Sequence, residues 1–234
     1  MMFEILENTI EWQKWGWNIA TITFLFTIPF TMLDGWGYKK QGETIWKKGS
    51  AESISAITFV YSASLCYSYT IYSLYIGSLA ILFNGIILGY NIIPIVWGLF
   101  KFKKFTRIEK TCMAVFPLMI PAMIFLPWKK TMFFLFMMCA LVSLPMQPVE
   151  MLKEKSAGAV DIRTMTVFTF GVFFWALYGF AIRDFGIAIP NSIACAIFLS
   201  VIFLWFKYQK EPLTFSRLWI LFIERKQKEA VYAE

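Results

Sequence analysis

Seven apolar runs, separated by short charged segments, constrain this 234-residue chain more than any other feature. A bilayer is crossed by about 20 consecutive apolar residues. A chain that is 59% hydrophobic and 19% aromatic also carries more apolar surface than one soluble core of its size can bury. The sequence therefore predicts an all-α integral membrane protein with seven transmembrane helices. The runs cover residues 17–34, 54–76, 78–100, 111–127, 130–147, 162–182 and 185–206.

The first run is predicted to be a retained helix, not a signal peptide. It follows Glu4, Glu7, Glu11 and Lys14 instead of a basic segment, and no small-residue cleavage site ends it. The net charge of +7 comes from basic residues beside the spans. The partner of this charge is therefore expected to be the surface of the lipid bilayer, with no nucleic acid bound.

The distribution of Lys and Arg predicts the orientation. With the amino terminus outside, 18 of the 22 Lys and Arg residues fall on one side, in the first, third and fifth loops and the tail. Lysine and arginine accumulate on the cytoplasmic side of membrane proteins. The chain is thus expected to have its amino terminus outside and its carboxyl terminus in the cytoplasm, in the plasma membrane. The four exceptions are Lys14, Lys129, Lys130 and Arg183.

An internal repeat sets the predicted organisation. An offset near 107 residues superposes Lys48 on Lys155 and Asn84 on Asn191, and each half shows a Pro-interrupted helix, a basic loop and two closely joined helices. A single extra span between the halves makes both enter the bilayer from the same side. The prediction is two parallel three-helix bundles joined by a linker helix, a 3+1+3 topology typical of one class of transporter.

The domain boundaries follow from this organisation. Residues 1–104 form the first repeat with its amino-terminal segment, 105–128 the linker helix and 129–208 the second repeat. Residues 209–234 form a basic cytoplasmic tail, whose apolar run 218–223 is too short to span a bilayer and is expected to lie at the interface or in solvent.

The polar residues of the spans argue against an enzyme. The chain has no histidine, and the acidic residues are expected in loops or at helix ends, with Asp34 and Asp184 nearest the membrane interior. Hydrolysis, a metal centre or proton coupling needs a base or ligands at depth. The sequence therefore predicts no catalytic site, no metal and no cofactor. The Asn, Ser, Thr, Tyr and Trp residues of the spans suit a neutral polyhydroxylated ligand.

The most specific segment runs from Gly171 to Asn191. It contains the pattern Trp175-x-x-Tyr178-Gly179, then Asp184 and Asn191. This pattern resembles the SWEET and SemiSWEET sugar transporters of the MtN3/saliva, or PQ-loop, group. The resemblance is strong over residues 145–207, moderate over 17–104 and absent from the linker helix and tail.

The resemblance implies the binding site and the outer gate. Trp175 would stack on a sugar ring in a midplane cavity, and Asn191 would hydrogen-bond hydroxyl groups. Asn84 would be the repeat-related partner of Asn191, and Ser68 would lie opposite Trp175. The outer gate is assigned to Tyr178 and Asp184, together with Tyr72 of the first half. A packing role for Trp175 and a structural role for each membrane asparagine remain the alternatives.

Prolines are the hinge candidates. Pro145, Gln147 and Pro148 resemble the Pro-Gln hinge of the superfamily, although the dipeptide itself is scrambled to Met146-Gln147-Pro148. In the first half the candidate is Pro29, about eleven residues further from its basic loop. Static kinks are the alternative, because neighbouring helices can satisfy the carbonyls that a proline frees.

The resulting hypothesis is a uniporter that moves a small neutral solute, with a mono- or disaccharide as the expected substrate, by alternating access. A vitamin or nucleoside carrier similar to the nicotinamide riboside transporters is a second reading, since aromatic residues stack on bases as well as on sugars. A non-transporting PQ-loop receptor is a third, and would be expected to place charged residues in the cavity. Two repeats in one chain suffice for a pathway, and a homo-oligomer is the alternative assembly.

Overall fold

A computed structural model of the protein describes residues 7–51, 54–156 and 162–208. Every regular element in these ranges is helical, so the predicted all-α class is confirmed. The predicted basic tail lies outside the described residues. The α-helices are α1 Ile10–Gln13, α2 Ile19–Lys48, α3 Ala56–Ile76, α4 Leu79–Phe102, α5 Arg107–Val115, α6 Met119–Phe125, α7 Lys129–Ala140, α8 Met146–Glu154, α9 Ile162–Ala181 and α10 Phe185–Tyr208.

The helices after α1 form seven consecutive rods, each of which overlaps one of the seven predicted spans. The 3₁₀ turn Phe116–Leu118 joins α5 to α6, and a second turn, Leu141–Ser143, precedes α8. By length and hydropathy, four rods of the described chain can cross a bilayer: α2, α4, α5 with α6, and α10. A shorter apolar stretch, Met165–Ala181, lies in α9.

The first rod corrects the sequence interpretation. The span was expected to end near residue 34 and to be followed by a loop that holds Lys39 and Lys48, but α2 continues to Lys48. Its 30 residues make it about 45 Å long, against a hydrocarbon core of about 30 Å. The basic segment is therefore a helical extension, because it contains good helix formers and ends only at Gly49, in the left-handed conformation.

Each bundle places its third helix in the middle. In the first bundle α4 packs between α2 and α3, and in the second α10 packs between α9 and the α7–α8 rod. The linker rod of α5 and α6 packs against α3. The same order of helices in both halves matches the predicted repeat, while the domain boundaries themselves remain predictions.

Close helix contacts in the bundles rely on small residues. A Cβ atom on Gly35 of α2 would lie 2.7 Å from Ile87 of α4, and one on Gly179 of α9 would lie 2.5 Å from the backbone nitrogen of Ala188 in α10. Small residues let transmembrane backbones approach each other when lipid supplies no hydrophobic driving force.

Two aromatic stacks join the bundles. Phe26 of α2 stacks on Phe174 of α9 with ring centroids 4.4 Å apart, and Phe133 of α7 stacks on Tyr72 of α3 at 4.1 Å. Phe26 and Phe133 stand at the 107-residue offset of the repeat. The two contact surfaces between the bundles are thus related by the same pseudo-symmetry as the bundles.

The helices of the bundles have their ends at two opposite faces of the molecule, which we name by the residues that characterise them. We call the end that carries α1 and the turns 77–78 and 182–184 the tyrosine end. We call the opposite end, with residues 49–51, 54–55 and 103–106, the lysine end. The helix pair of each bundle is joined at the tyrosine end by a left-handed residue, Gly77 (φ 72°) or Arg183 (φ 60°). Both turns are short, so the positions of the following helices are tightly fixed.

Candidate functional site

Asn84 is buried in the first bundle and contacts α2. Its side-chain oxygen accepts a hydrogen bond from the Thr31 hydroxyl at 3.0 Å. Thr31 belongs to a face of α2 on which Thr23, Thr27 and Thr31 recur at every fourth residue, so all three point the same way. The amide nitrogen of Asn84 remains the group that could donate to a ligand.

Asn191 is half-buried in α10, and its amide nitrogen donates to the carbonyl of Ile187 at 2.8 Å. The two asparagines are therefore each engaged within their own bundle. An amide carries two donor hydrogens and two acceptor lone pairs, so one local bond leaves Asn191 able to recognise a hydroxyl group.

Trp175 and Ser68 lie in the core between the bundles. Trp175 is 9% exposed and packs in a cluster with Leu65, Tyr72 and Ile187. Ser68 is fully buried, and its hydroxyl donates to the Ser64 carbonyl at 2.8 Å. Ser68 follows Leu65 by three positions and precedes Tyr72 by four, so it shares the helix face that meets the second bundle.

Two of the predicted gate residues meet across the bundles. The Tyr72 hydroxyl of α3 donates to Asp184 Oδ2 at 2.5 Å, between residues 112 positions apart. The other carboxylate oxygen, Oδ1, accepts from the Gly186 backbone N–H at 2.9 Å, which orients Asp184. The structure thus brings Tyr72 and Asp184 together at the tyrosine end, while their role as a gate remains a prediction.

The third predicted gate residue, Tyr178, has a partner that the sequence reasoning missed. Its hydroxyl donates to the Glu11 carboxylate of α1 and lies 2.8 Å from the Ser78 hydroxyl. Trp175 packs edge-on against the Tyr178 ring at 5.8 Å. No sequence signal separated Glu11 from the neighbouring Glu4 and Glu7, because its burial depends on where α1 folds back.

The hinge candidates lie in different surroundings. Pro29 is inside the uninterrupted helix α2, whereas Pro145 is the N-cap of α8 and is separated from the preceding 3₁₀ turn only by Leu144. Gln147 and Pro148 lie in the first turn of α8. A helix break therefore coincides with Pro145 but not with Pro29, and the movement of either remains a prediction.

One expectation about acidic residues is wrong. Asp34 was placed in a loop or at a helix end, but it is half-buried in the interior of α2, because that helix extends to Lys48. Within residues 7–51, 54–156 and 162–208, no group of three His, Cys, Asp or Glu side chains could hold a metal ion.

A cavity of about 360 Å³ lies on the first bundle, and none of the predicted site residues lines it. Its lining is apolar and includes Tyr67, Ile93 and Trp97, which are all exposed on the bundle's outer face. In a bilayer this surface faces lipid. The groove therefore does not correspond to the predicted cavity between the repeats.

Comparisons with known proteins agree with this geometry. The sequence model of a family described as sugar efflux transporters for intercellular exchange matches residues 130–213, from the second residue of α7 to beyond the end of α10. The resemblance to the SWEET family that the sequence predicted is confirmed over this second half of the chain. That family consists of transporters, which also bears out the prediction that the chain is not an enzyme. No curated protein sequence matches the chain.

The fold is shared with a eukaryotic SWEET transporter whose structure was solved at 3.7 Å resolution. The two agree with a TM-score of 0.66 at 15% sequence identity, over 83% of this chain and 100% of the other. At that identity the likeness shows the fold. The chain is thus an integral membrane protein with the SWEET architecture.

Proposed function

We propose that this protein is a sugar transporter that works by alternating access. The observation that carries the proposal is the hydrogen bond from Tyr72 to Asp184, which joins the two bundles at the tyrosine end beside the buried Trp175 and Ser68. The described conformation would then be closed at this end. The match to a family of sugar efflux transporters supports a sugar as the substrate.

Binding would use the indole of Trp175 and the amides of Asn84 and Asn191. Stacking on the face of a sugar ring buries apolar surface of both partners, and each amide can donate and accept a hydrogen bond to a hydroxyl group. Ser68, a small residue opposite Trp175, would leave room for the ring. The described conformation buries Trp175, so a movement of the bundles would be needed to expose its indole to the sugar.

Movement would consist of one bundle rocking against the other. The contacts that would break at the tyrosine end include the hydrogen bond from Tyr72 to Asp184 and the stack of Tyr72 on Phe133. The helices within each bundle pack through glycine contacts that cannot slide easily. Pro145, at the helix break before α8, is the proposed hinge in the second bundle, with Gln147 and Pro148 next to it. Pro29 is the proposed counterpart in α2.

The proposed orientation places the tyrosine end outside the cell and the lysine end in the cytoplasm, within the plasma membrane. Lys104 and Lys153, both exposed at the lysine end, fit the rule that cytoplasmic loops are rich in lysine. We further propose uniport, in which the solute gradient alone drives net transport.

The decisive experiment is uptake of labelled sugars, nucleosides and nicotinamide riboside into proteoliposomes, with empty liposomes as the background. Sugar uptake that survives collapse of the proton gradient is expected. Trp175→Ala should remove most of this uptake, whereas Trp97→Ala, at a tryptophan that is 66% exposed in the lipid-facing groove, should not.

Other outcomes distinguish the alternatives. Uptake of nucleosides in place of sugars would make the protein a nucleoside or vitamin carrier. Binding without uptake would favour a receptor, and a loss of uptake in proportion to the proton gradient would overturn uniport and direct attention to Asp34 and Asp184.

A further inference from the structure

The amino-terminal segment 7–18 crosses from one bundle to the other at the tyrosine end. Its helix α1 is attached to the first bundle through the Ile10 backbone N–H, which donates to the Gly77 carbonyl at 2.8 Å. Further along, the Lys14 ammonium donates to the Ala181 carbonyl of the second bundle at 2.9 Å. The segment thus lies over both bundles where the proposed gate closes.

Glu11 is the buried group of this segment, with 5% of its surface exposed. Three of its four hydrogen-bond donors belong to the first bundle: the Ser78 hydroxyl at 2.7 Å and the backbone N–H groups of Leu79 and Ala80 at 2.9 and 3.0 Å. These N–H groups begin α4, where the helix dipole favours a negative charge. Glu11 is therefore firmly anchored to the first bundle.

The fourth donor belongs to the second bundle. The Tyr178 hydroxyl of α9 donates to Glu11 Oε1 and lies between that carboxylate and the Ser78 hydroxyl. Hydrogen bonds to a carboxylate are stronger than neutral ones, and burial strengthens them further. The contact therefore adds a second tie between the bundles beside the bond from Tyr72 to Asp184.

We propose that Glu11 is a gate residue that holds the tyrosine end closed by binding Tyr178. The proposal rests on alternating access, the proposed function. When the bundles separate, Glu11 keeps its three donors on the first bundle and loses only the Tyr178 hydroxyl, which water can then satisfy. This tie favours the closed state, and because it is a single hydrogen bond it can be broken in each transport cycle.

The test measures opening directly, without a substrate. Spin labels are placed on Leu74, at the end of α3, and on Phe180, near the end of α9, two exposed positions of opposite bundles at the tyrosine end. Pulsed electron resonance then gives the distribution of distances between them in detergent or nanodiscs. The variants are Glu11→Ala, Tyr178→Phe, the two together, and Glu7→Ala, a control at an exposed glutamate of the same segment.

The expected result is a rise of about tenfold in the ratio of open to closed molecules for Glu11→Ala, the equivalent of about 1.4 kcal/mol. Tyr178→Phe should give a similar rise, and the double variant should not exceed the larger single effect, because both variants remove the same hydrogen bond between the bundles. Glu7→Ala should leave the distribution unchanged.

Two results would overturn the proposal. If Glu11 serves only to cap α4, Glu11→Ala will lower the melting temperature but leave the distances of the folded fraction unchanged. If the two residues act separately, the effects of the single variants will add in the double variant. Because no solute is present, these results are independent of the uptake assay, and a protein that transports nothing could still show the Glu11 tie.

Discussion

Asn191 and Asn91 make the same local hydrogen bond, although only Asn191 is proposed to bind solute. Each amide nitrogen donates at 2.8 Å to the carbonyl four residues earlier in its helix. Substitution by alanine removes an equivalent bond in both cases. A difference in transport between the two alanine variants would therefore report on solute binding and not on the local helix bond.

Asn191→Ala and Asn84→Ala should each remove most transport. Loss of a site amide leaves a sugar hydroxyl unpaired, which costs about 1 to 3 kcal/mol, or about 5- to 150-fold in affinity. A hydrogen bond used only between membrane helices averages about 0.6 kcal/mol. The measurement is uptake as a function of solute concentration, normalised to folded protein in detergent.

Asn91→Ala is the matched control and should transport normally. Near-normal uptake by both Asn84→Ala and Asn191→Ala would instead assign these residues to helix packing. For Asn84 that role has a visible partner, since its side chain accepts the Thr31 hydroxyl.

At the residue level, the sequence predicted which residues of the bundles meet at the gate, but not which residue of the amino-terminal segment joins them. Tyr72 and Asp184 were assigned to one gate, and they do form a hydrogen bond across the bundles. Glu11 was not predicted, because nothing in a run of spaced glutamates shows which of them a folded segment will bury. Local spacing cannot reveal a contact between residues 167 positions apart, such as Glu11 and Tyr178.

At the scale of helices, the contact of α9 with α10 depends on Gly179. Its Cα lies so close to the next helix that an added Cβ would be 2.5 Å from the Ala188 nitrogen and 2.8 Å from its Cα. Backbone atoms cannot move aside as a flexible side chain can. Gly37 of α2, by contrast, has nothing within 4 Å of an added Cβ.

Gly179→Ala should destabilise the protein, and Gly37→Ala should stabilise it slightly. Overpacking costs about 1–3 kcal/mol, which exceeds the gain of about 0.5–1 kcal/mol from replacing a glycine within a helix. Thermal unfolding in detergent measures both. A Gly179→Ala protein as stable as its Gly37→Ala counterpart would show that α9 and α10 can separate without loss.

The start of α2 was predicted well and its end badly, for a physical reason. Hydropathy marks where a chain leaves lipid, and the apolar run does end near residue 34. A helix does not have to end there, because water tolerates a helix that carries charged and polar residues such as the four lysines of this segment. Its end at Lys48 is set by the left-handed Gly49, which hydropathy does not detect.

At the scale of the whole molecule, the repeat was the strongest predictor. The predicted repeat matches the shared helix order of the two bundles, and the stacks at Phe26 and Phe133, which were not predicted, lie at the same offset of 107 residues. The offset could not predict the structure of segment 7–18, which has no counterpart in the repeat. Segment 7–18 precedes the first repeat, and its closure over the tyrosine end depends on contacts that only the folded bundles provide.

The orientation in the membrane can be tested at both ends. Single cysteines are introduced at Lys104 and Lys153 of the lysine end and at Lys130 of the tyrosine end, in a protein whose four native cysteines are replaced. Lys130 is exposed and is preferred to Lys129, whose ammonium donates hydrogen bonds to the carbonyls of Met123, Ile124 and Leu126.

A membrane-impermeant thiol reagent should label only position 130 in intact cells, and positions 104 and 153 only after permeabilisation. Positively charged segments resist transfer across the membrane, so the lysine end is expected to stay in the cytoplasm. Labelling in the reverse pattern would contradict this orientation. It would also place the tie between Glu11 and Tyr178 on the cytoplasmic side, where it would gate the inner mouth.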